Sequence, residues 1–241
     1  MLLEILILPL LSSVTLGFFG RYIGRFGAMV FATINMWIAA VLSFLVTWKV
    51  ASSHNFIYYN LVKWLSFMTV TAPTSKVAEW SMWSQMFVNW EFTADSLTTI
   101  MLVVVTTVAA LVHTFSIFYM GQDPYVVRFF MYLSMFAFFM LILVTANNFL
   151  VLFVGWEGVG IMSFALINFW FTGALANKAA IKAMLVNRIG DFGLLIGISI
   201  IVFIFACEES GRMQLSWESL WTGKKWIRKT CNGLFVVILK N

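Results

Sequence analysis

Apolar residues along this chain fall into six runs, each near the length needed to cross a bilayer. They cover 2–19, 28–48, 97–119, 129–146, 148–171 and 183–206. A helix needs about 20 apolar residues to pass the hydrocarbon core. None of the runs alternates like a barrel strand, and a helix satisfies its own backbone groups in lipid. The pattern therefore predicts an all-α, polytopic transmembrane helical bundle with about six spanning helices. The link between the fourth and fifth, around Ala146-Asn147-Asn148, is very short and predicts an antiparallel hairpin. The long internal loop is 49–95. It carries Trp64, Trp80, Trp83 and Trp90, which suit the headgroup layer. The run 233–239 is too short to span and reads as the start of a seventh helix. The chain thus divides into a spanning part, 1–206, and a polar, basic tail or truncated seventh-helix start, 207–241.

Composition agrees with this division. The 241 residues are 62% hydrophobic and 10% charged, with mean hydropathy +0.94. Soluble domains carry about 25% charged residues. The formal charge of +5 does not point to nucleic acid, because the basic residues sit between apolar runs and in the tail. The segments 20–27 (Arg21, Arg25), 121–128 (Asp123, Arg128) and 173–188 (Lys178, Lys182, Arg188) share one side if every helix spans. Basic bias assigns that side to the cytoplasm or mitochondrial matrix, with the N-terminus and tail outside. The tail's Lys224, Lys225, Arg228 and Lys229 run against that rule. Cys207 and Cys231 form no CxxC and have no nearby histidine, which argues against a metal or Fe–S site. The start, Met1-Leu2-Leu3-Glu4, lacks the basic region of a signal peptide and reads as the first membrane helix.

Glu157 stands out against this background. It lies inside an apolar run, in Gly155-Trp156-Glu157-Gly158-Val159-Gly160. An acid at that depth costs roughly 2.5–3.5 kcal/mol on insertion scales, and such residues are functional by default. Burial disfavours a charged carboxylate and a nearby cation favours it, so a carboxyl held between the two can load and release a proton. The glycines allow another helix to come close. In the sixth run, Arg188 and Asp191 are three apart and share a face, as a structural ion pair or as a gating element. Lys182 and Asp191 are nine apart, half a turn out of phase, so a straight helix cannot aim both at one partner. Lys178 reads as a snorkelling cation, and Lys182 reads equally as that or as part of a site. His113 could relay protons or simply pack. Asn147, Asn148, Asn168 and Asn187 read as caps or packing contacts.

Three stretches carry a resemblance. They are 149–160 (FLVLFVGWEGVG), 168–172 (NFWFT) and 178–191 (KAAIKAMLVNRIGD). Together they closely resemble subunit 5 of respiratory NADH dehydrogenase, complex I. The stretches 17–24 (GFFGRYIG) and 92–97 (FTADSL), with His113 and Tyr119-Met120, are similar too. The resemblance covers about 1–220 and is most specific in 147–193, in the wording of mitochondrial members. It implies the N-terminal half of an antiporter-like fold in a proton-translocating membrane-arm subunit of the mitochondrial inner membrane. Glu157 falls on the family's key carboxylate. Lys182, Arg188 and Asp191 fall on charged positions of the sixth helix, and His113 on a histidine found in many members.

That resemblance also sets expectations about company. No cofactor is expected on this chain; NADH, FMN, Fe–S clusters and quinone are expected on other subunits. Other membrane-arm subunits and lipids are the expected partners, with no nucleic acid. The family's seventh helix bears a lysine that pairs with Glu157, and the matching stops before it. A second chain is therefore expected to supply the missing C-terminal half and to place that lysine against the glycine-rich face around Glu157. The rival readings are a monovalent cation/proton antiporter subunit and a structural membrane scaffold that has lost pumping.

Overall fold

The structure is a computed structural model and describes residues 1–53, 57–70, 83–206 and 212–214. In chain order the elements are α1 (Leu2–Ser53), β1 (Ile57–Val70), β2 (Trp83–Ala94), α2 (Ser96–Met120), α3 (Val126–Thr145), α4 (Phe149–Ile167), α5 (Ala174–Ala206) and β3 (Arg212–Gln214).

The first two apolar runs are the two limbs of α1. They are separated by one non-helical residue, Gly24, at φ 78° and ψ 170°. A positive φ is open to glycine at no steric cost. The chain doubles back there. The Asn35 Nδ2 group donates to Ser12 Oγ at 2.9 Å, whereas in one straight helix these residues would stand about 34 Å apart. Leu2, Ile5 and Leu6 accordingly share a core with Ala39, Val46 and Val50. Among the described residues, six apolar segments thus come from five helices, all long and apolar enough to cross a membrane.

The later boundaries differ from the apolar runs at two places. α4 ends at Ile167. α5 starts at Ala174, well ahead of the expected 183. Lys178 therefore lies in the first turns of α5, with Lys182 and Arg188 further along the same helix. A hydropathy run stops at its first charges, but five of the eleven residues in 174–184 are alanine and two are lysine, both good helix formers.

Short turns fold these helices into an antiparallel bundle with two distinct ends. At one end, Leu16, Ala28 and Met29 cluster with Met120, Val126, Phe130 and Phe169. Trp170 Nε1 donates there to Asp123 Oδ2 at 3.2 Å. The Gly24 reversal and the turns 121–125 and 168–173 therefore lie together. At the other end, Leu2 and Val50 meet Phe92, Ala94, Leu102, Ala146 and Val151.

The expected loop 49–95 is instead largely a β-hairpin. β1 and β2 pair antiparallel from Ile57↔Ala94 to Val70↔Trp83, with irregularities between Asn60 and Val62 and between Lys63 and Leu65. β3 adds in parallel beside β2, from Gln85↔Arg212 to Phe87↔Gln214. Aromatic and β-branched residues make up at least half of β1 and β2, and 89–93 (NWEFT) alternates polar and apolar. That alternation was the available signal. Among the four tryptophans, Trp90 packs on the bundle's core. Trp80, Cys207, Cys231 and the run 233–239 lie outside the described residues.

Glu91 fastens the hairpin to the α3–α4 turn. Its Oε1 accepts from Asn60 Nδ2 at 3.0 Å and from Asn89 Nδ2 at 2.8 Å. Its Oε2 accepts from Asn147 Nδ2 at 2.9 Å, and the Asn147 amide donates to the Glu91 carbonyl. Charge-assisted hydrogen bonds of this kind are stronger than neutral ones.

Candidate functional site

The site is built on α4 and α5, and the start of α4 sets its register. Asn148 is the N-cap, its Oδ1 accepting from the Val151 amide at 2.9 Å. Its Nδ2 donates to the Asn89 carbonyl at 2.6 Å, tying the same residue to β2. A cap of this type is worth roughly 0.5–2 kcal/mol.

From that start, the glycines fall on two faces. A Cβ at Gly155 would lie 2.7 Å from the Leu143 backbone nitrogen, and one at Gly158 would enter the Phe139 ring. These two let α3 approach. Gly160 is covered by the Asn187 amide group of α5. The glycine surface expected to receive a second polypeptide is therefore used within this chain. Helices in lipid associate by close packing of small residues, which consumes such a face wherever a neighbour is at hand.

Glu157 lies near the middle of α4 and faces α5. Arg188 Nη1 stands 2.5 Å from Glu157 Oε1 and 3.9 Å from Asp191 Oδ2. Glu157, whose pairing lysine was expected on a second chain, thus already has a cation within this one. Arg188 fills that role, because α4 and α5 pack closely enough for a guanidinium to cross between them. Two carboxylates share one guanidinium nitrogen, so the trio carries a net negative charge when all three are ionised. Trp156 completes the group, its Nε1 donating to Asp191 Oδ1 at 2.8 Å. Asp191 is 2% exposed. Glu157 Oε2 and Asp191 Oδ2 are buried and have no hydrogen-bond partner among the described residues.

The remaining sequence candidates stand apart. Lys182 and Lys178 are exposed on α5, while Ala180, Asp191 and Ile198 are the buried positions among its described side chains. Lys182 thus points away from the face that carries Asp191, as nine residues of helix require. His113 is 1% exposed and sits on α2 against α3. Its Nδ1 lies 2.7 Å from the Ala109 carbonyl, its Nε2 lies 3.3 Å from Ser134 Oγ, and its ring meets Phe130 edge-on. Its polar contacts go to those residues and not to the Glu157 group. Trp156 was missed by sequence reasoning. Its adjacency to Glu157 was visible, but the partner of its indole depends on how α5 lies.

Residues 80–130 match the family described as NADH-ubiquinone oxidoreductase (complex I), chain 5 N-terminus. Residues 146–238 match the family described as NADH:quinone oxidoreductase/Mrp antiporter, transmembrane. The chain is 48% identical to NADH-ubiquinone oxidoreductase chain 5 of Arabidopsis thaliana over 199 residues, 82% of this chain and 27% of that one. The chain belongs to the NADH-ubiquinone oxidoreductase chain 5 family. The Chondrus crispus chain 5 is 45% identical over 205 residues, 85% of this chain and 28% of its own length. The chain thus spans just over a quarter of the length of these relatives. Its fold is similar to a chain of the membrane-bound sulfane sulfur reductase, an archaeal respiratory membrane complex. There the TM-score is 0.66 at 18% identity, over 83% of this chain and 36% of that chain.

Proposed function

We propose that this chain is a proton-translocating part of the membrane arm of NADH:ubiquinone oxidoreductase in the mitochondrial inner membrane. The observation that carries this reading is Glu157, a carboxylate near the middle of a spanning helix with a cation from the next helix against it. An intramembrane acid paired in this way is a functional site by default. Arg188 lies closer to Glu157 than to Asp191. A short shift of the guanidinium toward Asp191 would leave Glu157 able to take up a proton, and its return would favour release. Unit charges about 4 Å apart attract by about 4 kcal/mol at an effective dielectric of 20. That exceeds the roughly 1.4 kcal/mol equivalent to a tenfold change in proton affinity.

Oxidation of NADH and reduction of quinone, with their FMN and Fe–S clusters, would belong to other subunits, which would drive this site through charge along the membrane axis. Other membrane-arm subunits are the partners. A cation that a neighbouring segment brings near Glu157 would compete with Arg188 and give the cycle a second input. The end bearing Arg21, Arg25 and Lys178 would face the matrix.

The test is Glu157→Gln in the intact respiratory complex. The change is nearly isosteric and removes the titratable charge. Assembly should persist while protons pumped per electron fall and quinone reductase turnover slows. Normal values for both would assign Glu157 to packing. The description shared with Mrp antiporters leaves one alternative, a cation/proton antiporter subunit. Purification in a membrane complex without a redox arm would favour it.

A further inference from the structure

We infer that Trp156 is a positioning residue that holds Arg188 on Glu157 by satisfying Asp191. Its consequence for activity rests on the function proposed above, and its structural consequence does not.

Arg188 and Asp191 are three residues apart on α5 and are neighbours on its surface. Left to local geometry, they would pair with each other. The guanidinium instead contacts Glu157 of α4 at 2.5 Å and stays 3.9 Å from Asp191. Asp191 is 2% exposed, and a carboxylate so buried needs donors. One is the Trp156 indole, 2.8 Å from Oδ1. Among the described residues, Oδ2 has no hydrogen bond.

The indole N–H is a donor only and does not titrate at physiological pH. Its bond to Asp191 therefore keeps the same sense whatever the proton state of Glu157. Because Trp156 and Glu157 are adjacent, one turn of α4 supplies both the carboxylate that draws Arg188 away and the donor that compensates the carboxylate left behind. Without that donor, Asp191 would have Arg188 as its remaining cationic neighbour and would draw the guanidinium to itself.

The test compares Trp156→Phe, Asp191→Asn and the double variant in the intact complex. In a high-resolution map of Trp156→Phe, Arg188 should close on Asp191 to about 2.7–2.9 Å, the length of a charge-assisted hydrogen bond, and leave Glu157. Pumping should fall about tenfold, the scale of one hydrogen bond to a charged group. The double variant should be no worse than Asp191→Asn alone, since the donor then has no charge to satisfy. If Trp156→Phe lowers assembly, benzothienylalanine at position 156 keeps the bicyclic ring and removes only the N–H.

Arg188 still seated on Glu157 in the map would overturn the inference, as would losses that multiply in the double variant. If Arg188 moves but Glu157→Gln pumps normally, the positioning role stands and the proposed function falls.

Discussion

Arg188→Leu removes the cation that Glu157 and Asp191 share and keeps an apolar side chain on α5. The bare attraction at the observed separations, 2.5 and 3.9 Å, is about 7 and 4 kcal/mol at an effective dielectric of 20. Those are ceilings, because 56% of the Arg188 side chain is accessible. Exposed pairs contribute about 0–1 kcal/mol, and breaking a buried pair costs about 3–5 kcal/mol. The Asp191 side chain is 3% accessible and that of Glu157 21%, so a value near the middle applies. About 2 kcal/mol corresponds to roughly 30-fold in an equilibrium. The assay is NADH-driven proton pumping in sealed membrane vesicles, normalised to assembled complex on a native gel. We expect the coupled rate to fall roughly 30-fold while much of the complex still assembles, because the Gly160–Asn187 contact remains. Adding Asp191→Asn should improve assembly by removing one uncompensated carboxylate, without restoring pumping. A normal coupled rate in assembled Arg188→Leu would refute the assignment of Arg188 as the partner of Glu157.

Gly158→Ala should lower the amount of assembled complex without an intermediate loss of coupling. Its Cβ would enter the Phe139 ring, and overpacking of this kind costs about 1–3 kcal/mol. The measurement is complex abundance and thermal stability, with wild-type values showing that α3 and α4 can separate freely. Arg25→Cys and Gly173→Cys, in a background lacking Cys207 and Cys231, should both be labelled by an impermeant maleimide from the matrix side only. Labelling from opposite sides would break the antiparallel arrangement.

The spanning segments were legible in the sequence because lipid imposes one simple demand, an apolar stretch of fixed length. Ends set by other forces were less legible. The start of α5 lies beyond the apolar stretch, where helix propensity rather than hydropathy decides. The hairpin 57–94 was read as a loop because its tryptophans suggested an interface, although 89–93 alternates as a strand does. At the site, the prominence of Glu157 and the opposed phases of Lys182 and Asp191 followed from single-helix reasoning. The pairing with Arg188 did not. It depends on which face α4 turns to α5, and that is decided by Gly155 and Gly158 giving the opposite face to α3. The contacts of His113 with Ser134 and Phe130, and of Trp156 with Asp191, were hidden for the same reason, since each reaches a different helix.

α5 is held differently from the other spanning segments. The two limbs of α1, with α2, α3 and α4, are bound at one end by the sheet and the Glu91 clamp and at the other by short turns and a shared core. α5 leans chiefly on α4, through Asn187 over Gly160 and through the contacts of Arg188 and Asp191. The charge group is therefore also a latch. A change of proton occupancy at Glu157 would change the grip that keeps this helix on the bundle, so under the proposed function a chemical event at one carboxyl would at once be a mechanical one. Force applied to α5 from beyond this chain would in turn be felt first at Glu157.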